Sequence, residues 1–162
     1  MYTLATIEQW HHGLRIFHRA HSRAAVLYER RSIVLGLPTI ALTAITGTTV
    51  FSTMNSTTGT WVKVVTGVMS LSASVLAALQ TFLRYPELAE RHRAASQSYG
   101  ALRREVEEIL ATRQEGSPFA VPADLLKSLR ERWNAVDNIA PNIPQRLYDA
   151  VEASLKTSRG DR

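Results

Sequence analysis

The sequence contains no cysteine, which excludes disulfide bonds, thiolate zinc sites and cysteine nucleophiles together. It also lacks a nucleophile elbow, a phosphate-binding loop, a paired-carboxylate constellation and a zinc motif. A membrane-bound enzyme would need some such cluster of acid, base or nucleophile. We therefore expect no enzyme activity, no catalytic residue, no cofactor and no bound metal.

Charged residues are missing from two long stretches. The 31 residues from Ser32 to Val62 are all uncharged, and after Lys63 another 20 uncharged residues precede Arg84. A bilayer core is about 30 Å thick and a helix rises about 1.5 Å per residue, so about 20 apolar residues cross it. The stretches predict membrane spans at 32–54 and 64–83. Without charge inside them, a proton relay or a charged-substrate transporter is disfavoured.

The predicted fold is all-α and membrane-bound. Two long antiparallel helices form a two-span hairpin with a cytoplasmic stalk, and two short cytoplasmic helices follow. We expect one domain over 1–162, with no cleavable signal peptide. Besides the two spans, this domain contains a cytoplasmic helix at 1–31, an outer loop at 55–62, a second cytoplasmic helix at 84–113 and C-terminal helices within 122–156. Gly36, Pro38 and Pro86 are the predicted hinges, because proline removes a helix hydrogen bond.

Apolar residues outside the spans recur near the 3.6-residue helical period. The first and second cytoplasmic helices each carry such a stripe, and we expect the two antiparallel helices to bury one another. The stripes comprise Ile7, Trp10, Leu14 and Phe17 on the first and Tyr99, Leu102, Val106, Ile109 and Leu110 on the second. A helix from about residue 122 should cap this stalk with Leu125, Leu126, Leu129, Trp133 and Val136 on one side.

Basic residues set the predicted orientation. Of the 19 Lys and Arg residues only Lys63 lies on the hairpin-loop side, so the positive-inside rule places both termini in the cytoplasm of a bacterial inner membrane. The net charge of +5 could suggest nucleic acid, but these residues flank membrane spans, so we expect lipid contact and no direct nucleic-acid binding. The predicted membrane-interface residues are Tyr28, Arg30, Arg31, Trp61, Arg84 and Tyr85.

Small and hydroxyl-bearing residues form a stripe along one face of each span. These stripes could line a water-filled pore in an assembly of hairpins, or they could let helices pack closely. Hydroxyls and amides serve both purposes, so both interpretations stay open. The candidates for pore lining or helix packing are Thr39, Thr43, Thr46, Thr66, Ser70, Ser74 and Gln80.

Three histidines lie near one face of the first helix: His11, His18 and His21. Their spacing could suit a metal ion or pH sensing. Metal-binding helices usually add carboxylates or cysteines, however, and Glu8 is the nearest acid. Hydrogen-bonded histidines at a helix interface are the favoured interpretation.

Taken in order, several segments resemble the SLATT family, whose two-helix membrane effector domains accompany SMODS nucleotidyltransferases and SLOG proteins in bacterial conflict systems. The resemblance covers nearly the whole chain and depends on the order and spacing of these segments. They are HRAHSRAAVLY at 18–28, LPTIALTAITG at 37–47, LSAS at 71–74, ALQ at 78–80, ERHR at 90–93, YGALRRE at 99–105 and APNIP at 140–144.

This resemblance implies an antiviral, abortive-infection effector that oligomerises in the inner membrane and permeabilises it, causing growth arrest or death. We expect no fused nucleotide-sensing domain, so the trigger would come from a soluble ligand or a separate sensor such as a nucleotidyltransferase or reverse transcriptase. The alternative is a non-conducting membrane anchor or scaffold, in which the cytoplasmic helices recruit a partner.

Overall fold

The computed structural model describes residues 4–53, 59–112 and 121–160, and all of the regular structure in them is helical. This confirms the all-α prediction with two long apolar helices and short C-terminal helices. The helices are α1 (Leu4–Thr53), α2 (Thr60–Leu83), α3 (Tyr85–Ala111), α4 (Ala123–Ile139) and α5 (Gln145–Gly160). Part of the predicted outer loop is helical, because α2 begins at Thr60, and positions 54–58 lie outside the described residues.

The chain divides into two compact units. The hairpin unit is residues 27–87, with the second half of α1 and all of α2. The bundle unit is residues 1–26 and 88–162, with the first half of α1 and helices α3, α4 and α5. Each unit has its own internal packing.

In the hairpin unit, α1 and α2 pack as an antiparallel pair along one seam. Tyr28 contacts Tyr85, the first residue of α3, and Gly36 faces Gln80 of α2, so the two helices of the hairpin run in opposite directions. The less exposed residues recur at steps of three and four, which is the spacing of one helix face. They include Ser32, Leu35, Gly36, Thr39, Leu42, Thr46 and Thr49 on α1, and Val62, Thr66, Met69, Ala73, Leu76, Gln80 and Leu83 on α2; Gly47 and Val65, beside this face, are also half-buried.

The remaining faces of this hairpin expose large apolar side chains. Val34 is 69% exposed, Ile40 is 67% exposed and Phe82 is 83% exposed. Both helices are long and apolar enough to cross a membrane. Because side chains of this kind are stable in hydrocarbon and costly in water, these faces of the hairpin are suited to contact with lipid.

The predicted hinges behave differently from one another. Pro38 lies inside α1, which continues through it as one helix. At the other position the break falls at Arg84, two residues before Pro86, where φ is 47° and the backbone N–H donates to the carbonyl of Gln80. Pro86 then occupies the first turn of α3, where a missing N–H costs nothing. Arg84 is the one non-glycine residue with positive φ in the described part of the chain.

The bundle unit has a core built by α1, α3 and α4. The predicted stripes of α1 and α3 do meet, which confirms that these helices bury one another. The buried core members are Ile7, Leu14, Ala95, Tyr99, Leu102, Val106, Leu126 and Leu129. Helix α5 adds a second cluster, in which Val151 and Leu155 pack against Ile16 and Ala20 of α1.

One predicted core residue of α4 is not in the core. Leu126 and Leu129 are buried, whereas Leu125 is 42% exposed. The reason is helical geometry, because adjacent residues lie about 100° apart and only one of a leucine pair can point directly inward. The prediction that Leu125 faces the stalk was therefore wrong.

Close approach between α1 and α3 depends on Gly100. A Cβ at this position would lie 3.0 Å from Nδ1 of His18, whose ring is fixed by a hydrogen bond of 2.9 Å to the carbonyl of Ser96. At Gly13 the corresponding distance to the Trp133 side chain is 3.3 Å.

We therefore expect Gly100→Ala to destabilise the bundle unit. Overpacking typically costs about 1–3 kcal/mol, which outweighs the gain of about 1 kcal/mol in helix propensity. Thermal unfolding in detergent, followed by tryptophan fluorescence, measures the effect. Gly13→Ala should cost less, and an equal or smaller effect for Gly100→Ala would contradict the close approach.

Candidate functional site

Four of the seven predicted stripe residues lie on the seam inside the hairpin: Thr39, Thr46, Thr66 and Gln80. Thr39 is 8% exposed. The Gln80 amide nitrogen would lie 3.2 Å from a Cβ built on Gly36, so this glycine makes room for the amide. In the hairpin these four residues occupy helix-packing positions.

The other three residues, Thr43, Ser70 and Ser74, are exposed. Counting about 100° per residue from the seam, Thr43 and Ser70 both fall on the same side of the antiparallel pair. Seven residues from the facing pair Gly36 and Gln80 are positions 43 and 73, so Thr43 and Ser70 also lie at about the same level.

The two sides that flank the seam differ in side-chain size. The side with Thr43 and Ser70 also carries Gly47 and Ala77, and we call these four positions the small-residue side. On the opposite side the corresponding positions are Pro38, Ile45, Ser72 and Leu79. Both sides are uncharged. A second helix could approach these four positions more closely, because their side chains are short. Two large exposed residues, Ile40 and Val50, lie one turn away along the same side of α1.

Seven hydroxyls in the described parts of the spans donate to the carbonyl four residues earlier, whereas the buried Oγ1 of Thr46 has no partner there. Oγ1 of Thr43 donates to the carbonyl of Thr39 at 2.7 Å, and Oγ of Ser74 donates to that of Ser70 at 2.9 Å. Ser72 makes the same four-residue bond to Val68 at 2.9 Å. The donors are thereby satisfied in a bilayer, and the hydroxyl oxygens keep lone pairs that can accept from water or solvate a cation.

Five of the six predicted interface residues lie at one end of the hairpin, and Trp61 lies at the other, in the first turn of α2. The rings of Tyr28 and Tyr85 are 5.9 Å apart, and the guanidinium carbon of Arg31 lies 5.6 Å and 5.9 Å from their centroids. Arg84 forms an ion pair with Glu87. Both Arg30 and Trp61 are exposed, Trp61 by 74%.

The three histidines of α1 each bond to α3 in the bundle unit, which confirms them as interface histidines. His11 Nε2 donates to the carboxylate of Glu107 at 3.0 Å, and His18 Nδ1 donates to the carbonyl of Ser96 at 2.9 Å. His21 meets a different partner, described next. Among the described residues no group of three or more His, Asp or Glu side chains is placed to hold a metal ion.

His21 and His92 form a buried pair between α1 and α3. Their Nδ1 atoms are 2.9 Å apart, so one ring donates and the other accepts, and the two neutral rings hold opposite tautomers. The ring of Tyr99 stacks on His21 at 5.2 Å and on Phe17 at 5.3 Å. The Tyr99 hydroxyl donates to Asp137 of α4 at 2.6 Å, which links three helices.

Burial changes the acid–base behaviour of this network. Desolvation, and secondly repulsion from a charged His92, lowers the pKa of His21 from 6.5 to about 4. Desolvation also lowers the pKa of His92. The pKa of Tyr99 is raised by burial and by its bond to Asp137. At neutral pH both imidazoles and the phenol are therefore uncharged.

An open cleft of about 280 Å³ lies beside this network in the bundle unit. His21, Tyr99 and Asp137 form one wall, and the turn at 140–143 with Tyr148 forms the other. The turn follows from Pro141 and Pro144, which fix their own φ and restrict the residues before them.

The chain matches the SMODS and SLOG-associating 2TM effector domain family 4 over residues 9–159. The chain belongs to this family. The match confirms the SLATT resemblance, and the 2TM of the family description agrees with the two spanning helices of the hairpin unit. The family description implies a membrane effector of defence systems that associates with SMODS and SLOG proteins. SLATT is not a known family of enzymes.

Neither the curated proteins nor the solved structures give a match to this SLATT chain. The sequence analysis did not predict that His21 pairs with His92, or that the hydroxyl of Tyr99 bonds to Asp137. One signal was available, since His21 precedes Tyr28 by seven residues and His92 follows Tyr85 by seven. Equal distances from a hairpin predict contact between antiparallel helices.

Proposed function

We propose that this SLATT chain is the effector of a bacterial anti-phage system, and that several copies associate in the inner membrane and permeabilise it. The outcome for the cell is growth arrest or death. Family membership supports the membrane-effector part of this function. The surface of the hairpin supports the assembly and the permeabilisation.

The small-residue side is the observation that carries the proposal. Two packed helices enclose no channel, and Thr39, Thr46, Thr66 and Gln80 lie on the seam between them. A conducting path therefore requires other copies, arranged so that exposed hydroxyls face a shared axis. Thr43 and Ser70 are suited to this, because they are exposed at about the same level on one side.

Charge and size on this side favour a pore over a transporter. Hydroxyl oxygens can replace part of an ion's hydration shell, and the absence of intramembrane charge leaves no strong binding site to trap the ion. The large side chains on the opposite side, such as Ile45 and Leu79, are suited to lipid contact.

A time course of membrane potential and viability after induced expression in a bacterium tests the proposal. We expect the potential to collapse before viability falls. A normal membrane potential under strong expression would contradict permeabilisation and would favour the membrane anchor that recruits a partner. Growth arrest that precedes any change in potential would contradict it as well.

We further propose that both termini, and with them the bundle unit, are cytoplasmic. Because 18 of 19 basic residues lie outside the hairpin loop, a reporter fused after Arg162 should be labelled inside the cell and one inserted at Thr58 outside. Labelling of the Thr58 reporter from the cytoplasm would reverse the orientation.

A cytoplasmic bundle unit would give a separate sensor access to this effector. The family description names SMODS and SLOG proteins as associates, and we propose a partner of that kind. Its binding could change the packing of α4 and α5 while the hairpin stays inserted.

A further inference from the structure

A groove opens at the end of the hairpin where α2 gives way to α3. Its volume is about 240 Å³, and it is lined by Ser32, Leu35, Gln80, Tyr85 and Pro86. Serine, tyrosine and glutamine supply hydroxyl and amide groups, whereas leucine and proline supply an apolar wall.

Arg31 is held beside this groove by two aromatic rings. Its guanidinium lies over Tyr28 and over Tyr85, and Tyr85 is itself a wall of the groove. No carboxylate of the described residues pairs with Arg31, in contrast to Arg84, which pairs with Glu87. Stacking limits the rotamers of Arg31, so less entropy is lost when the guanidinium binds an anion.

The surroundings of the groove are those of a membrane surface. Val34, which is 69% exposed, and Phe82, which is 83% exposed, lie within one turn of its lining residues along α1 and α2. A ligand here would therefore have its polar part in the groove and apolar chains along the outside of the helices.

From this arrangement we propose that the groove is a binding site for one anionic glycerophospholipid. Arg31 binds the phosphate through charge-assisted hydrogen bonds, and Ser32 and Gln80 bond to the glycerol and ester oxygens. The acyl chains lie along apolar hairpin surface. Lipid binding at this site does not depend on pore formation. The site binds one lipid molecule in a defined position, in contrast to the diffuse attraction between basic residues and an anionic membrane.

The test is native mass spectrometry of the full-length protein, titrated with phosphatidylglycerol and with phosphatidylcholine of the same acyl chains. For the wild type we expect the first phosphatidylglycerol to bind at least about tenfold more tightly, because the choline cation of phosphatidylcholine offsets the attraction between its phosphate and Arg31. Arg31→Gln should remove this preference. Arg30→Gln is the matched control, because Arg30 is an exposed neighbouring arginine without the aromatic contacts, and it should keep the preference within about twofold.

A second variant keeps the test decisive if Arg31→Gln fails to fold. Arg31→Lys retains the charge but lacks the planar, bidentate guanidinium, so a built site predicts at least about a fivefold loss of preference. Equal effects of Arg30→Gln and Arg31→Gln, or full preference in Arg31→Lys, would show diffuse electrostatics and overturn the proposal. Displacement of the lipid by millimolar inorganic phosphate would also overturn it, because the site would then recognise free phosphate.

Discussion

Ser70→Leu is expected to abolish permeabilisation while expression and membrane insertion stay normal. Ser70 is exposed on the small-residue side, at about the level of Thr43. A leucine there would prevent close approach of a second hairpin and would line any shared axis with an apolar ring that excludes water. The substitution is repeated in every copy, so ion flux should fall by at least about tenfold. Dye release and membrane potential measure it.

Ser72→Leu is the matched control for this prediction. Ser72 is two residues away, is also exposed and faces the opposite side of the hairpin. Its added bulk would project into lipid, so permeabilisation should remain near the wild-type value. Thr43→Leu, on the same side as Ser70, should reproduce the loss. If Ser72→Leu were as damaging as Ser70→Leu, the small-residue side would have no special role.

The bundle unit should lose stability as the pH falls below about 6.5. The unfolded chain binds a proton at His21 near this value, whereas the folded pKa is about 4, so the folded state resists protonation. The stabilisation that His21 contributes is therefore fully present above pH 6.5 and declines as the pH falls toward 4. One pKa unit corresponds to about 1.4 kcal/mol, so His21 alone accounts for a loss of about 3 kcal/mol across the window. The lowered pKa of His92 adds to the loss in the same direction.

Thermal unfolding in detergent at a series of pH values measures this effect. Trp10 and Trp133 are in ring contact at 6.0 Å in the bundle unit, so their fluorescence reports its unfolding. The double variant His21→Asn with His92→Asn is the control, because amides can form a hydrogen bond but do not titrate here. The unfolding midpoint of this variant should depend less on pH between 6.5 and 4.5 than that of the wild type. An unfolding midpoint that does not change with pH in the wild type would contradict the buried neutral pair.

Helical periodicity and missing charge predicted most of the fold. The uncharged stretches gave both spans, and the 3.6-residue stripes gave the packing of α1 against α3, since Leu14 and Tyr99 are buried as expected. These features are local in sequence, so they can be identified without knowing which helices meet. Leu125 was misplaced because a stripe of adjacent leucines does not fix the rotation of a helix.

Features that depend on contact between distant residues were not predictable in the same way. The spacing of Thr39, Thr43 and Thr46 predicts that the three lie on one face of the first span. Packing against α2 covers Thr39 and leaves Thr43 exposed. The end of α2 at Arg84 rather than at Pro86 depends on the left-handed backbone there, which no propensity favours for arginine. The partnership of His21 with His92 required the register between α1 and α3.

Conductance of planar lipid bilayers that contain only the purified protein tests the central claim most directly. If copies of the hairpin assemble around the small-residue side, adding wild-type protein should produce discrete conductance steps, and Ser70→Leu protein at equal density should produce none. Electrically silent bilayers in which wild-type protein is verifiably inserted in the assembled state would contradict the pore, and the hairpin would then be an anchor.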